Sequence, residues 1–259
     1  MRDDLGHRVR LEGPVRRVVS LVPSLTEAVA ATRPGALVGA TDWCVRPARL
    51  DVARVRGTKN PDVAAVVALE PDVVVANKEE NREIDVRRLR AEGVQVWVTD
   101  IETVPGAVAS MGRLFDACGW GLPAWLGQVE SVWGFRPLPP RARVAVAVWR
   151  DPWLVVGRPT FTADLLSRLG LTVVSPGATG RYPHVDPAAL DDPSALDAVL
   201  LPDEPYPFTP ADGPDAFARV PTVLVDGRHL TWYGPALLES HARLVRALAG
   251  IPARGVTDG

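Results

Sequence analysis

Lysine is nearly missing from this chain of 259 residues. Lys59 and Lys78 are the only two, which leaves 27 of the 29 basic residues as arginine. Against 31 acidic residues the formal net charge is −2, so the basic excess that a phosphate backbone selects is missing and no nucleic-acid partner is expected. Cysteine is equally scarce: Cys44 and Cys118 form no CxxC and no ladder of spacings, which excludes a disulfide scaffold and suits a reducing compartment. No apolar run approaches the roughly 18 residues of a spanning helix. The first 17 residues, MRDDLGHRVRLEGPVRR, are polar, and the apolar run Val18–Val22 that follows stops at Pro23. No secretory leader is read there, so the chain as written is expected in the cytoplasm. A start codon further upstream would instead make it periplasmic or lipid-anchored. The chain also lacks GxGxxG after its first strand, GxxxxGK[ST], HExxH and GxSxG. No catalytic residue, metal set or cofactor is therefore expected, and the chain is not read as an enzyme.

What remains is ordinary globular material, 47% hydrophobic and 23% charged, arranged as alternating strands and helices. Arg17–Val22 reads as a strand and Ser24–Thr32 as a helix, with Ser24 and Glu27 at capping-box spacing. Leu37–Ala40, Val73–Ala76 and Val94–Val98 are further strands; Asp62–Leu69, Glu83–Glu92 and Pro105–Cys118 are helices. Val-rich strands alternating with helices indicate a parallel sheet covered on both faces. The second half does the same: strands at Val144–Val148, Thr172–Val174, Ala198–Leu201 and Val223–Val225, helices at Thr162–Leu169, from Asp186 to Leu190, and at Pro235–Ala249. Asp62 falls opposite Asp186 at a spacing of 124, and Val18 opposite Val144 at 126. A near-constant offset across several elements is the mark of a duplicated α/β unit. Two lobes follow, 1–118 and 141–259, joined by 119–140. In that joint, Trp125, Leu126, Val129, Val132 and Trp133 lie at helical spacing, and Pro137, Pro139 and Pro140 end a helix of about Pro123 to Phe135. The fold class is α/β: two Rossmann-like lobes with parallel sheets, a rigid bridging helix, and a ligand cleft between the lobes.

Ligands of open parallel sheets bind beyond the carboxyl ends of the strands. The segments expected there hold all three tyrosines, four of the eight tryptophans and two of the four histidines. Aromatic side chains give a stiff apolar wall with a polar tip, suited to a large, flat or ring-shaped ligand. The candidate ligand-binding residues are Trp43, Trp149, Arg150, Trp153, Tyr182, His184, Tyr206, His229, Trp232 and Tyr233. Tyr182 and His184 together could reach a metal centre. Cys44 reads as a small buried thiol and Ser24 as a helix cap rather than a nucleophile. The acidic run 79–83 reads as a solvated helix start.

The runs RVVSLVPSLTEAVAA (17–31), VGATDWC (38–44), AAVVALEPDVVVA (64–76) and LRAEGVQVWVTD (89–100) resemble the class III substrate-binding proteins of ABC importers for cobalamin, ferric siderophores and haem, the helical-backbone metal receptors. The S-L-x-P-S-x-T-E start and the L-x-P-D-x-V strand entry are most similar to the cobalamin-binding branch. RLGLTVVSPGATGRYPHV (168–185) and LTWYGPALLESHARLVRAL (230–248) resemble the second lobe of that family. The resemblance implies a non-enzymatic, monomeric binder of a corrinoid or metal chelate. It places Trp43, Trp149, Tyr182 and the Trp232–Tyr233 pair at aromatic cleft positions, and Glu83 and Glu204 near acidic residues that dock onto an ABC permease in exported members. Two alternatives accompany it: an exported importer component whose start lies upstream, and a tetrapyrrole- or metal-handling enzyme of chelatase type.

Overall fold

The computed structural model describes residues 1–134 and 136–253; Phe135, the expected end of the joining helix, and 254–259, the end of the expected second lobe, lie outside them. The chain divides into two units. The first holds Met1–Ile101, Pro105–Ser131 and Trp232–Ala236; the second holds Glu102–Val104, Val132–Thr231 and the rest from Leu237.

In the first unit the elements run β1 (Val18–Ser20), α1 (Pro23–Thr32), β2 (Leu37–Ala40), β3 (Ala53–Arg54), β4 (Arg56–Gly57), β5 (Asn60–Pro61), α2 (Val63–Ala68), β6 (Val73–Asn77), α3 (Glu83–Ala91), β7 (Val96–Thr99), α4 (Val104–Ala117) and α5 (Ala124–Trp133). The sheet order is β3-β2-β1-β6-β7 and every pairing in it is parallel. The second unit follows with β8 (Ala142–Trp149), β9 (Leu154–Val155), α6 (Phe161–Ser167), β10 (Leu171–Val173), α7 (Pro187–Leu190), β11 (Ala198–Pro202), β12 (Thr222–Val225), α8 (Gly227–Thr231) and α9 (Leu237–Ala247). Its parallel order is β10-β8-β11-β12, with β9 antiparallel beside β8.

The duplication is visible in the hydrogen-bond register. In the first sheet Val18 pairs with Val73 and Val74 with Val96; in the second Val144 pairs with Ala198 and Val199 with Thr222. Those partners correspond at offsets of 125 or 126 residues. The helices that enter the central strands match as well: Asp62 caps α2 through Ala65 N–H, and Asp186 caps α7 through Ala188 N–H. Each aspartate satisfies a backbone donor that the helix itself leaves unpaired. The central strands β6 and β11 are buried along their whole length, as strands covered on both faces must be. Val19, Leu21, Val66, Val74, Leu89 and Val98 form the core on one face of the first sheet. Ala145, Trp153, Leu190, Leu196, Leu201 and Phe208 form the corresponding core in the second.

Two local expectations are corrected. Ser24 and Glu27 make no capping box: Val22 is the N-cap, Pro23 takes the first turn, and Ser24 is buried inside α1. Glu27 instead accepts the Ala236 N–H at 3.2 Å. The run 79–82 is a turn rather than a helix start, since α3 begins only at Glu83. The closing helix forms at Leu237–Ala247, within its expected range, and a short helix the sequence did not suggest, Gly227–Thr231, precedes it. The polar N-terminus is folded onto the first unit. Asp4 N–H donates to Val98 O at 3.1 Å on the edge strand β7, and the buried Asp3 accepts from Arg90, Val98 N–H and His7 N–H. A covered edge is protected from pairing with another chain. Among the described residues no helix is long and apolar enough to cross a membrane.

Candidate functional site

Strand ends decide what each lobe can present. In the first unit, β2 runs into a turn that leaves Trp43 69% exposed and Val45 exposed beside it. Cys44, between them, points inward. Its thiol lies 2.9 Å from Thr26 Oγ1 and 3.1 Å from Thr41 Oγ1, and burial pushes its pKa up. Both cysteines are unoxidised and buried, as the small-thiol reading requires. Beyond β6, Asn77 and Asn81 build the loop: Asn81 Oδ1 accepts Asn77 N–H at 2.8 Å, and Asn77 Oδ1 accepts Glu79 N–H at 2.9 Å. Glu80 on this loop accepts the Tyr233 hydroxyl at 2.8 Å. Trp232 and Tyr233 are buried in the first unit. Neither ring faces solvent. Burial raises the Tyr233 pKa, with the nearby Glu80 charge adding to it.

In the second unit the end of β8 presents Trp149, 43% exposed, edge-on to Tyr206 with ring centroids 5.4 Å apart. Arg150 follows and is fully engaged. Its guanidinium pairs with Asp215 at 2.8 and 2.9 Å and with Asp212, and lies 5.8 Å over the Trp153 ring. The Arg150 pair holds the Asp215 pKa down to about 2, helped by the Gly213 N–H. Tyr206 donates to Asp212 at 2.7 Å, and that bond raises its pKa. Trp153 itself is a core residue, stacked on Phe208 at 5.7 Å and edge-on to Phe217 at 5.3 Å. Sequence proximity to β8 pointed to a ligand contact; the short antiparallel β9 that follows turns the ring inward.

The loop after β10 is held by backbone bonds: Gly157 N–H to Arg181 O at 2.7 Å, Val155 N–H to Pro183 O at 3.1 Å. A Cβ on Gly157 would collide with Gly180 O, so only glycine permits this approach. The result presents Tyr182, 45% exposed, and His184, exposed, two residues apart. His229 is different. It is buried, with Nδ1 3.0 Å from Ser240 Oγ and Nε2 3.5 Å from Asp226. Ser, His and Asp side chains thus line up, but Ser240 has no exposed surface, so the set staples α8 to α9 and offers no nucleophile. Of the two acidic docking candidates, Glu83 stands 83% exposed in the first turn of α3, whereas Glu204 is half-buried and accepts the Thr231 hydroxyl at 3.1 Å.

The exposed aromatic set thus shrinks to Trp43 on the first lobe and Trp149 with Tyr182 on the second. Among the described residues no three His, Cys, Asp or Glu side chains are grouped to hold a metal ion.

No protein-family model matches the chain, and no curated protein matches it. Solved structures do. The periplasmic vitamin B12 binding protein BtuF of Vibrio cholerae aligns over 92% of this chain and 98% of its own at 15% identity, TM-score 0.70. A periplasmic heme binding protein from Pseudomonas aeruginosa aligns over 93% and 95% at 20% identity, TM-score 0.72. The fold is that of the class III periplasmic binding proteins. CeuE of Helicobacter pylori, solved with nickel and histidine, shares this fold over 97% of the chain and 90% of its own at 13% identity, TM-score 0.72. At these identities the class III fold is common ground, and the three differ in what they bind.

Proposed function

We propose that the chain is a non-enzymatic receptor for a corrinoid or metal-chelate ligand, bound through exposed aromatic rings on its strand-end loops. The observation that carries this reading is the placement of Trp43, Trp149 and Tyr182: large, exposed aromatic faces at the carboxyl ends of parallel strands, on loops pinned by buried hydrogen bonds. Exposed rings on stiff loops lower the ordering cost of binding and suit a broad, partly apolar surface such as a tetrapyrrole or corrin. The engagement of Arg150 with two aspartates supports contact through ring faces there rather than a lone cation. Structural neighbours that bind vitamin B12 and haem support the same class of ligand. The periplasmic location of those neighbours, and Glu83 exposed on α3, support the finer reading of a periplasmic importer component docking a permease. Cell fractionation tests that finer reading: recovery with the periplasm supports it, and recovery only with the cytosol favours an internal carrier.

The binding reading is tested by titrating the purified chain with cyanocobalamin, haemin and a ferric siderophore while following tryptophan emission and ligand absorbance. Saturable quenching with one of the three is the expected outcome. Flat emission and unchanged spectra with all three would overturn the proposal.

A further inference from the structure

The first lobe carries a concavity, away from the carboxyl ends of its strands, that the receptor reading does not use. It is a groove of about 310 Å³ between the N-terminal segment and the outer side of β7, bordered by His7, Arg8, Arg10, Arg90 and Gln95. The segment that forms it is fixed at several points. Val9 is buried and exchanges hydrogen bonds with Met1, and Arg10 N–H donates to Gln95 Oε1 at 2.9 Å. Because side chains alternate along extended backbone, burial of Val9 sends Arg8 and Arg10 outward on one side.

The groove's charge is one-sided. The carboxylate beside it is Asp3, which is fully buried and already shared among Arg90 and the backbone N–H groups of Leu5, His7 and Val98. Arg8 and Arg10 pair with no carboxylate among the described residues, and His7 stands exposed next to them. Arg90 adds an Nε–H that is buried without an acceptor. A buried donor left unmade is costly, and guanidinium forks match phosphate oxygens in pairs. Two outward guanidiniums spaced two residues apart, roughly 6–7 Å along extended chain, fit two linked anionic centres better than one.

We propose that this groove binds a small oligophosphate, a free diphosphate or the diphosphate portion of a soluble metabolite, independently of the strand-end ligand. The test is calorimetric titration with inorganic pyrophosphate, with sulfate as a comparison, at about 0.15 M salt, where long-range attraction is largely screened. Wild-type protein should bind pyrophosphate saturably and at least about tenfold tighter than sulfate. Arg8→Ala with Arg10→Ala should remove about tenfold or more of that affinity, without moving the melting temperature or the response to cyanocobalamin and haemin. Arg243→Ala with Arg246→Ala, two exposed arginines on α9, serves as the control and should bind as wild type. Equal affinity for sulfate, equal loss in both double variants, or no saturable binding would overturn the proposal. So would binding to phosphatidylglycerol vesicles that pyrophosphate fails to displace, which would identify a lipid surface as the source of phosphate.

Discussion

The two lobes share the order of four parallel strands, the register of the central ones and one aspartate helix cap, yet they present different surfaces. In the first, Trp43 stands clear of its loop while the other candidate aromatics of that unit, Trp232 and Tyr233, are buried. In the second, Trp149 leans on Tyr206, and behind them Arg150, Asp212 and Asp215 lock the loop into an ion-paired block. The difference teaches which parts of a repeated α/β unit are physically constrained. Buried strands are constrained on both faces, so their register survives at offsets of 125 and 126 residues while their identities drift. Loops carry no such constraint and become the part that distinguishes one lobe from the other.

The largest expected effect separates core from surface. Trp153→Ala should cost roughly 3–5 kcal/mol in urea unfolding, because it empties the stack on Phe208, whereas Trp43→Ala should stay within about 0.5 kcal/mol. Similar losses in both would erase the distinction drawn between the two rings. Next comes the N-terminal segment, which lies outside the duplicated part. Asp3→Ala should cost about 3 kcal/mol, since it strands the half-buried Arg90 and three backbone donors. A loss under about 0.5 kcal/mol would show that the segment is not integral to the first lobe.

The caps test the likeness directly. Asp62→Ala and Asp186→Ala should each cost about 1 kcal/mol, because they do the same work at matching helix starts. Unequal effects, with one near zero, would show that the correspondence stops at sequence. The smallest effect is a pH dependence confined to the second lobe. Asp215 is held at about 2 in the folded chain, below the carboxylate value of roughly 3.9 in an unfolded one. Its contribution is therefore present above about pH 4 and lost as pH falls through about 2. Wild type and Asp215→Asn should differ most at about pH 5 and converge below pH 2; a gap that widens with acid would contradict the assigned sign.

Most of the architecture was legible because its signals are local. Val-rich runs, an aspartate before each short helix and the spacing between halves name strands, caps and the repeat without reference to distant contacts. β2 falls at its expected limits for the same reason. The failures are tertiary. Nothing near Ser24 announces that Pro23 and Val22 will take the cap, or that Glu27 will serve Ala236, more than 200 residues away. Aromatic content does not carry the direction of each ring: Trp153, Trp232, Tyr233 and His229 are buried, while Trp43, Trp149, Tyr182 and His184 are exposed. The polar N-terminus read as featureless because its aspartates find partners in β7, α3 and α4, far along the chain.

The direct test of the central claim is to repeat the cyanocobalamin, haemin and ferric-siderophore titrations on Trp43→Ala and Trp149→Ala, with Trp153→Phe as the core control. The account predicts that each exposed-ring variant binds about tenfold or more weakly to the ligand the wild type accepts, while the core variant binds normally. Wild-type affinity in both exposed-ring variants would contradict it.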